Sequence, residues 1–280
     1  MIRPVQLDLF AVIGNPVGHS LSPAMMNALF HSLNFPGLYA ALEVEELAGA
    51  LEILARVGFR GLSVTLPHKE TAFRLAEEVD ETAAVIGAVN TLRLENGRYV
   101  GRNTDWLGSN RALQSIISLH GKRAAVIGAG GVARAVVYGL IREHAEVTVF
   151  NRNARRGETL AKVFGCRFRP LQDVSAPFSE HYGFDLVVQC TSSGLSGKDA
   201  VSIVPESFFT KNMVVMDTVY RPVKTPCLQA AEKAGCRTIN GLEMLVYQGA
   251  AQVEWWLDLK LPAAALTTMR TALLKALSNE

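Results

Sequence analysis

Two regions of this chain combine residue types and spacings that could do chemistry. The first is Ala124 to Ala135, AAVIGAGGVARA, where an apolar run enters a glycine turn and leaves in a helix of small residues. Gly128 suits the tight turn off a strand, Gly130 lets backbone approach a phosphate, and Ala133 takes the third small position, where helix must pack close to strand. The helix N-terminus offers unpaired N–H groups and a partial positive charge to a diphosphate. Such a pattern alone also fits an ordinary strand-to-helix turn, so its surroundings decide. Glu146–Phe150 reads as the next strand, and about 20 residues past the glycines, where an acidic residue would meet the ribose of NAD, stands Asn151. Arg152, Asn153, Arg155 and Arg156 follow, with no carboxylate between Val147 and Gly157. Guanidinium groups hold a 2′-phosphate bidentately, and cations at a helix N-terminus oppose its dipole, so these arginines need a ligand to explain them. The reading is NADP rather than NAD.

The second region holds proton-transfer candidates. Ser63-Val64-Thr65-Leu66-Pro67-His68-Lys69 ends a strand and opens a helix, with Pro67 suited to the first helical position and Lys69 in the first turn. A lysine there opposes the dipole, which makes Lys69 a candidate acid/base, although a solvated surface lysine is the commoner fate of the residue. His68 is a rival whose side chain would point about 100° away on a helix. Asp105 opens a further helix; an acid is favourable there on dipole grounds alone, but across a cleft it could orient the Lys69 ammonium. Ser22 before Pro23 has an N-cap arrangement, whereas Ser20 lacks that duty, and the two hydroxyls could together grip a carboxylate. Asn90, Tyr220 and Gln248 are uncharged hydrogen-bonding groups in small or apolar surroundings, each as readily satisfied locally as by a ligand.

These residues need two layers of elements to position them. The 280 residues, 49% hydrophobic and 19% charged, suit two domains with ordinary cores. A formal net charge of +2 with dispersed basic residues gives no sign of nucleic acid or an anionic membrane surface as a main partner, and small ligands are expected. Cys166, Cys190, Cys227 and Cys236 show neither CxxC spacing nor histidine clusters, so no metal is expected and the thiols suit a cytoplasmic protein. The opening MIRPVQLDLFAVIG carries no cleavage site, and no stretch reaches the roughly 18 apolar residues of a membrane helix. Strands are predicted at Leu9–Ile13, Leu38–Leu42 and Gly61–Val64, and helices at Pro23–Leu33 and Val44–Val57, forming a parallel layer. Thr91–Leu94 and Arg98–Val100 read as a hairpin over Glu95-Asn96-Gly97. Trp106–Leu119 leads to a second domain with strands at Asp185–Gln189 and Met213–Asp217 and a helix between Thr225 and Ala234. Glu243–Leu257 and Ala263–Leu277 read as helices returning to the first domain.

The motifs NPVGHSLSP at 15–23, SVTLPHK at 63–69, GAVNT at 87–91, GRNTDW at 101–106, GAGGVARA, NRNARR, CTSSGLSG at 190–197, DTVYRP at 217–222 and NGLEMLVYQGA at 240–250 together resemble the shikimate dehydrogenase family over nearly the whole chain. The resemblance implies an α/β chain with an αβ substrate domain and a Rossmann-type NADP-binding domain separated by a cleft: residues 1–106 bind substrate, 107–242 bind NADP, and 243–280 return to the substrate domain. It implies a shikimate site formed by Ser20, Ser22, Thr65, Lys69, Asn90, Asp105, Tyr220 and Gln248, with Lys69 and Asp105 the catalytic pair. It also implies NADP contacts from Gly128, Ala129, Gly130, Gly131 and Val132, from Asn151, Arg152, Asn153, Arg155 and Arg156, and near Thr218 and Gly241. The implied reaction is NADPH-dependent reduction of 3-dehydroshikimate in aromatic amino acid (chorismate) biosynthesis, by a monomer or homodimer needing no metal. Gln189-Cys190 departs from the family's more frequent Asn-Ala, and Asn153 from its frequent Thr. A quinate/shikimate dehydrogenase using NAD or NADP shares the fold and the pair; so would a ligand-binding regulator without turnover, against which the presence of both Lys69 and Asp105 argues.

Overall fold

The computed structural model describes residues 7–175, 183–195 and 201–278, so the first six residues and positions 196–197 of the CTSSGLSG motif lie outside them. The chain divides into two compact units, one of Met1–Thr104 with Leu245–Glu280 and one of Asp105–Met244. The first unit begins β1 (Asp8–Gly14), α1 (Ser22–Ser32), β2 (Gly37–Glu43), α2 (Leu47–Val57), β3 (Phe59–Val64) and α3 (Lys69–Leu75), then β4 (Glu78–Val79), α4 (Glu81–Ile86), β5 (Thr91–Glu95) and β6 (Arg98–Arg102). Its sheet runs β2-β1-β3-β5-β6-β4. β1 lies parallel between β2 and β3, and its Phe10-Ala11-Val12-Ile13 run is buried throughout, as expected of a strand covered on both faces. The parallel layer expected of β1, β2 and β3 is thus present, the hairpin expected over Glu95-Asn96-Gly97 follows as β5 and β6, and β5 also runs antiparallel to β3. The two-residue loop Asn96-Gly97, with φ of +50° and +80°, can join only antiparallel strands, and the favourable positive φ of its glycine makes it a tight hairpin turn. α2 starts later than the apolar pattern suggests, since the Glu46 carboxylate accepts the N–H groups of Ala48 and Gly49 at 2.7 Å and caps the helix there.

The second unit contains α5 (Asp105–Gln114), β7 (Arg123–Ile127), α6 (Gly131–Arg142), β8 (Glu146–Asn151), α7 (Ala154–Phe164), β9 (Arg167–Pro170), β10 (Leu186–Gln189), β11 (Val214–Asp217), α8 (Pro226–Lys233) and β12 (Arg237–Ile239). α5 stops five residues short of the predicted end. The sheet is wholly parallel in the order β12-β11-β10-β7-β8-β9. From β7 the chain builds outward to β9, then returns to start β10 on the other side of β7. That reversal makes the C-terminal ends of β7 and β10 the topological switch point, where open α/β sheets bind ligands.

α9 (Gly241–Trp256) and α10 (Ala264–Ser278) complete the chain. In the first unit α10 packs along α1, and a Cβ placed on Gly249 would press on the methyl groups of Met25, Met26 and Met269. Trp256 is buried over Gly61, and its indole N–H donates to the Leu92 carbonyl at 2.9 Å.

Candidate active site

β1 and β3 end side by side, and the segments that follow them carry the first unit's candidate residues to one sheet edge. The Thr65 N–H donates to the Ile13 carbonyl and the His68 N–H to the Thr65 carbonyl, both at 2.9 Å. This second bond closes a turn over Leu66-Pro67, so the helix opens at Lys69 and Pro67 is not its first residue. Lys69 remains in the first turn and is buried. Its carbonyl accepts the Val89 N–H at 2.9 Å, which ties the start of α3 to the strand that Asn90 enters. The buried imidazole of His68 donates from Nε2 to the Val44 carbonyl at 2.6 Å, a fully local role.

Asn90, 2% exposed, is the hub of this edge. Its Oδ1 accepts the Thr104 N–H and the Thr91 hydroxyl, both at 2.7 Å, and its Nδ2 donates to Thr104 Oγ1 at 3.0 Å and Gln248 Oε1 at 3.3 Å. Gln248 in turn donates to the Leu245 carbonyl on α9. Asn90 and Gln248, 158 residues apart, are thus brought into contact. Ser22 is not an N-cap: it is the first helical residue, behind Leu21, and α1 has no side-chain cap. Ser20 instead accepts the Ser22 N–H at 3.3 Å, so the local duty falls on the serine expected to lack one. This arrangement keeps the Ser20 hydroxyl proton available to donate, and it spares Ser22 from capping.

Behind Asn90 lies a buried relay that spacing did not suggest. The Tyr39 hydroxyl donates to Ser63 Oγ and Ser63 to Gln252 Oε1, each at 2.6 Å, while Gln252 Nε2 donates to the Asn90 carbonyl at 3.2 Å and Thr91 Oγ1 at 3.1 Å. Gln252 is one helical turn past Gln248 on α9, which is the only sequence signal that pointed to it.

In the second unit Gly128 leaves β7 with φ of +117°, a conformation that L side chains rarely adopt, and a Cβ there would lie 3.1 Å from Thr191 and 3.3 Å from the Cys190 carbonyl carbon. Ala129 is buried and Gly130 is the N-cap of α6 without a side-chain bond, leaving the N–H groups of Gly131, Val132 and Ala133 to an outside acceptor. A Cβ on Gly130 would meet nothing within 4 Å, so open space faces that helix end, while Ala133 is fully buried beneath it. Asn153 caps α7, accepting the Arg156 N–H at 3.0 Å, and its carbonyl takes the Asn151 side-chain amide at 2.8 Å. Arg152, Arg155 and Arg156 are exposed, and no acid stands in the first turn of α7. An uncapped helix end and a basic loop fit a phosphorylated dinucleotide. Thr218 and Gly241 touch, since a Cβ on Gly241 would fall 2.5 Å from the Thr218 carbonyl. Tyr220 is half-buried just beyond, and Asp105 is buried at the start of α5; both belong to the second unit, whereas Lys69 and Asn90 belong to the first.

A glycine turn at the switch point of a parallel sheet, an arginine loop on the next strand and a separate αβ unit rich in buried polar groups define a nicotinamide-dinucleotide oxidoreductase with its own substrate unit. Residues 12–92 match the shikimate dehydrogenase substrate binding domain, 110–244 the shikimate / quinate 5-dehydrogenase family and 241–274 the shikimate 5'-dehydrogenase C-terminal domain. A relative from Syntrophobacter fumaroxidans named shikimate dehydrogenase (NADP(+)) is 55% identical over 100% of this chain and 98% of its own. Crystal structures agree: shikimate dehydrogenase of Aquifex aeolicus superposes with a TM-score of 0.87 at 34% identity, covering 96% of this chain and 99% of that one. The Thermus thermophilus enzyme, solved in complex with NADP(H) and shikimate, gives 0.84 at 38% identity, covering 95% and 99%. The chain belongs to the shikimate dehydrogenase family.

Proposed function

We propose that this chain is an NADP-dependent shikimate dehydrogenase that reversibly reduces 3-dehydroshikimate to shikimate, in the cytoplasm and in the biosynthesis of aromatic amino acids. The observation that carries the reading is the contact of Asn90 with Gln248, which gathers the first unit's polar candidates at one sheet edge in a chain alike over its full length to NADP-dependent relatives. When bound, the nicotinamide supplies or accepts the hydride. The rest falls to the protein. Ser20 and Ser22 hold the substrate carboxylate, and Thr65, Asn90, Gln248 and Tyr220 orient the ring hydroxyls. Lys69 delivers a proton to the oxygen of the keto group as it is reduced and recovers it in the reverse direction, while Asp105 orients the ammonium. Gly128 to Val132 hold the pyrophosphate of NADP, Asn151 to Arg156 its 2′-phosphate, and Thr218 and Gly241, which touch, its nicotinamide side.

Steady-state assays with shikimate and quinate, each against NADP and NAD, test the reading. A kcat/KM for shikimate with NADP about 10²-fold above the other three pairs supports both pocket and cofactor loop. Comparable quinate or NAD rates would make it a dual-specificity enzyme, and no turnover with any pair would sink the proposal. Lys69→Ala should lower kcat by about 10²-fold or more, with NADP affinity preserved in titration calorimetry.

A further inference from the structure

Two segments of the second unit, Cys190–Gly194 after β10 and Thr218–Thr225 after β11, are fastened to each other by a closed set of buried polar groups. Gln189 and Asp217 are the last residues of their strands, stand opposite each other in the ladder and are wholly buried. The Gln189 amide nitrogen donates to the carbonyls of Thr191 at 3.2 Å and Ser193 at 3.1 Å and to Asp217 Oδ1 at 3.4 Å, and its oxygen accepts the Thr191 N–H at 2.5 Å. Asp217 Oδ1 also accepts the Val219 N–H at 2.9 Å, and Oδ2 accepts the Thr225 hydroxyl at 2.6 Å. Thr225, itself wholly buried, then caps α8 by accepting the Leu228 N–H at 3.2 Å. Gly194 ends the first loop against Pro226 and Thr225, and Gly241 rests on Thr218.

These loops are not remote from ligand. Cys190 and Thr191 form the far wall of the switch point, where they touch Gly128. The glycine turn after β7 and the arginine loop after β8 serve the first mononucleotide half, so the loops after β10 and β11 are the ones that must receive the second, nicotinamide half. Burial pushes the Asp217 carboxyl up to about 6, against the pull of the Thr225, Val219 and Gln189 donors, and an acid kept so deep beneath two loops is a costly choice for packing alone. We infer that Gln189, Asp217 and Thr225 are positioning residues that set the loops at Thr191–Gly194 and Thr218–Val219 for the nicotinamide half of the dinucleotide. This rests on reading the second unit as the NADP-binding one.

The test is the affinity for NADP+ without substrate, by titration calorimetry, together with KM for NADP+ and for shikimate. Gln189→Met keeps the volume and removes all four bonds; NADP+ Kd and KM should rise about tenfold, with KM for shikimate at saturating NADP+ within about twofold. Gln189→Asn, which keeps the amide, should recover part of the loss. An unchanged NADP+ Kd in folded Gln189→Met, or an equal rise in KM for both substrates, overturns the inference. If Gln189→Met does not fold, Thr225→Ser and Thr225→Val provide the comparison: affinity kept by the serine and lost by the valine supports positioning, and equal affinities overturn it. A wild-type protein that bound NADP+ but left shikimate untouched would defeat the proposed reaction without touching this test.

Discussion

Asn90 shows how much of a polar residue's part depends on its neighbours. Its side chain is already engaged by Thr91, Thr104 and Gln248, so any ligand meets an amide whose orientation is set in advance, with Gln252 holding its backbone from behind. Gln252→Leu takes the acceptor from the buried Ser63 hydroxyl and one partner each from the Asn90 carbonyl and Thr91, so it should cost about 1–3 kcal/mol of stability in urea denaturation and raise KM for shikimate several-fold, with NADP+ Kd unchanged. Asp217 predicts a pH effect. Its folded value, raised from 3.8 to about 6, means that the folded state takes up the proton more readily than the unfolded chain. Its contribution to stability is therefore full at acid pH and lost as pH rises through that window. Urea midpoints across the window should fall more steeply in wild type than in Asp217→Asn; parallel curves would contradict the assignment. Lys69 and the arginines stand out as candidates from their positions at helix starts, because the dipole argument is local. Gln252, Thr91 and Thr104 were not, since their significance lies in partners up to about 190 residues away along the chain.

Among the elements, those with long apolar runs were the ones most readily read from sequence, and the departures have local causes. α2 starts at a side-chain cap, α3 waits for a turn closed on Thr65, and α1 takes in Ser22 because Ser20 supplies the acceptor. β4, β9 and β12 carry no apolar run to detect, being mostly exposed or half-buried, whereas β10 and β11, hardly longer, are legible because all four residues of each are buried. α6 offers the sharpest test at this scale. Gly130 has φ of −90° and ψ of −175°, extended backbone open to any residue, and its missing Cβ would meet nothing. Gly130→Ala should therefore leave the thermal midpoint almost unchanged while raising NADP+ Kd about tenfold, the worth of one charge-assisted hydrogen bond to the diphosphate. A loss of stability with full affinity would mean that the glycine serves packing instead.

At the scale of the whole molecule, a chain segment far from the N-terminus completes the N-terminal unit. Leu245–Glu280 belongs with Met1–Thr104, and α10 lies on α1 with Met269 and Leu273 buried. Leu273→Ala should cost the first unit about 2–5 kcal/mol, with a lower urea midpoint for the first unit, and should leave NADP+ binding by the second unit intact in calorimetry. The sequence by itself determined the glycine turn, the basic loop and the candidate lysine, because each depends on residues within a turn or two of one another and on the field of one helix. Only the tertiary structure decided that the hairpin's first strand also pairs antiparallel with β3, that Asn90 meets Gln248, and that Gln189, Asp217 and Thr225 clasp two loops. Those outcomes depend on sheet order and on hydrogen bonds between residues distant in the chain, and no spacing along a sequence records how burial will force distant polar groups to find one another.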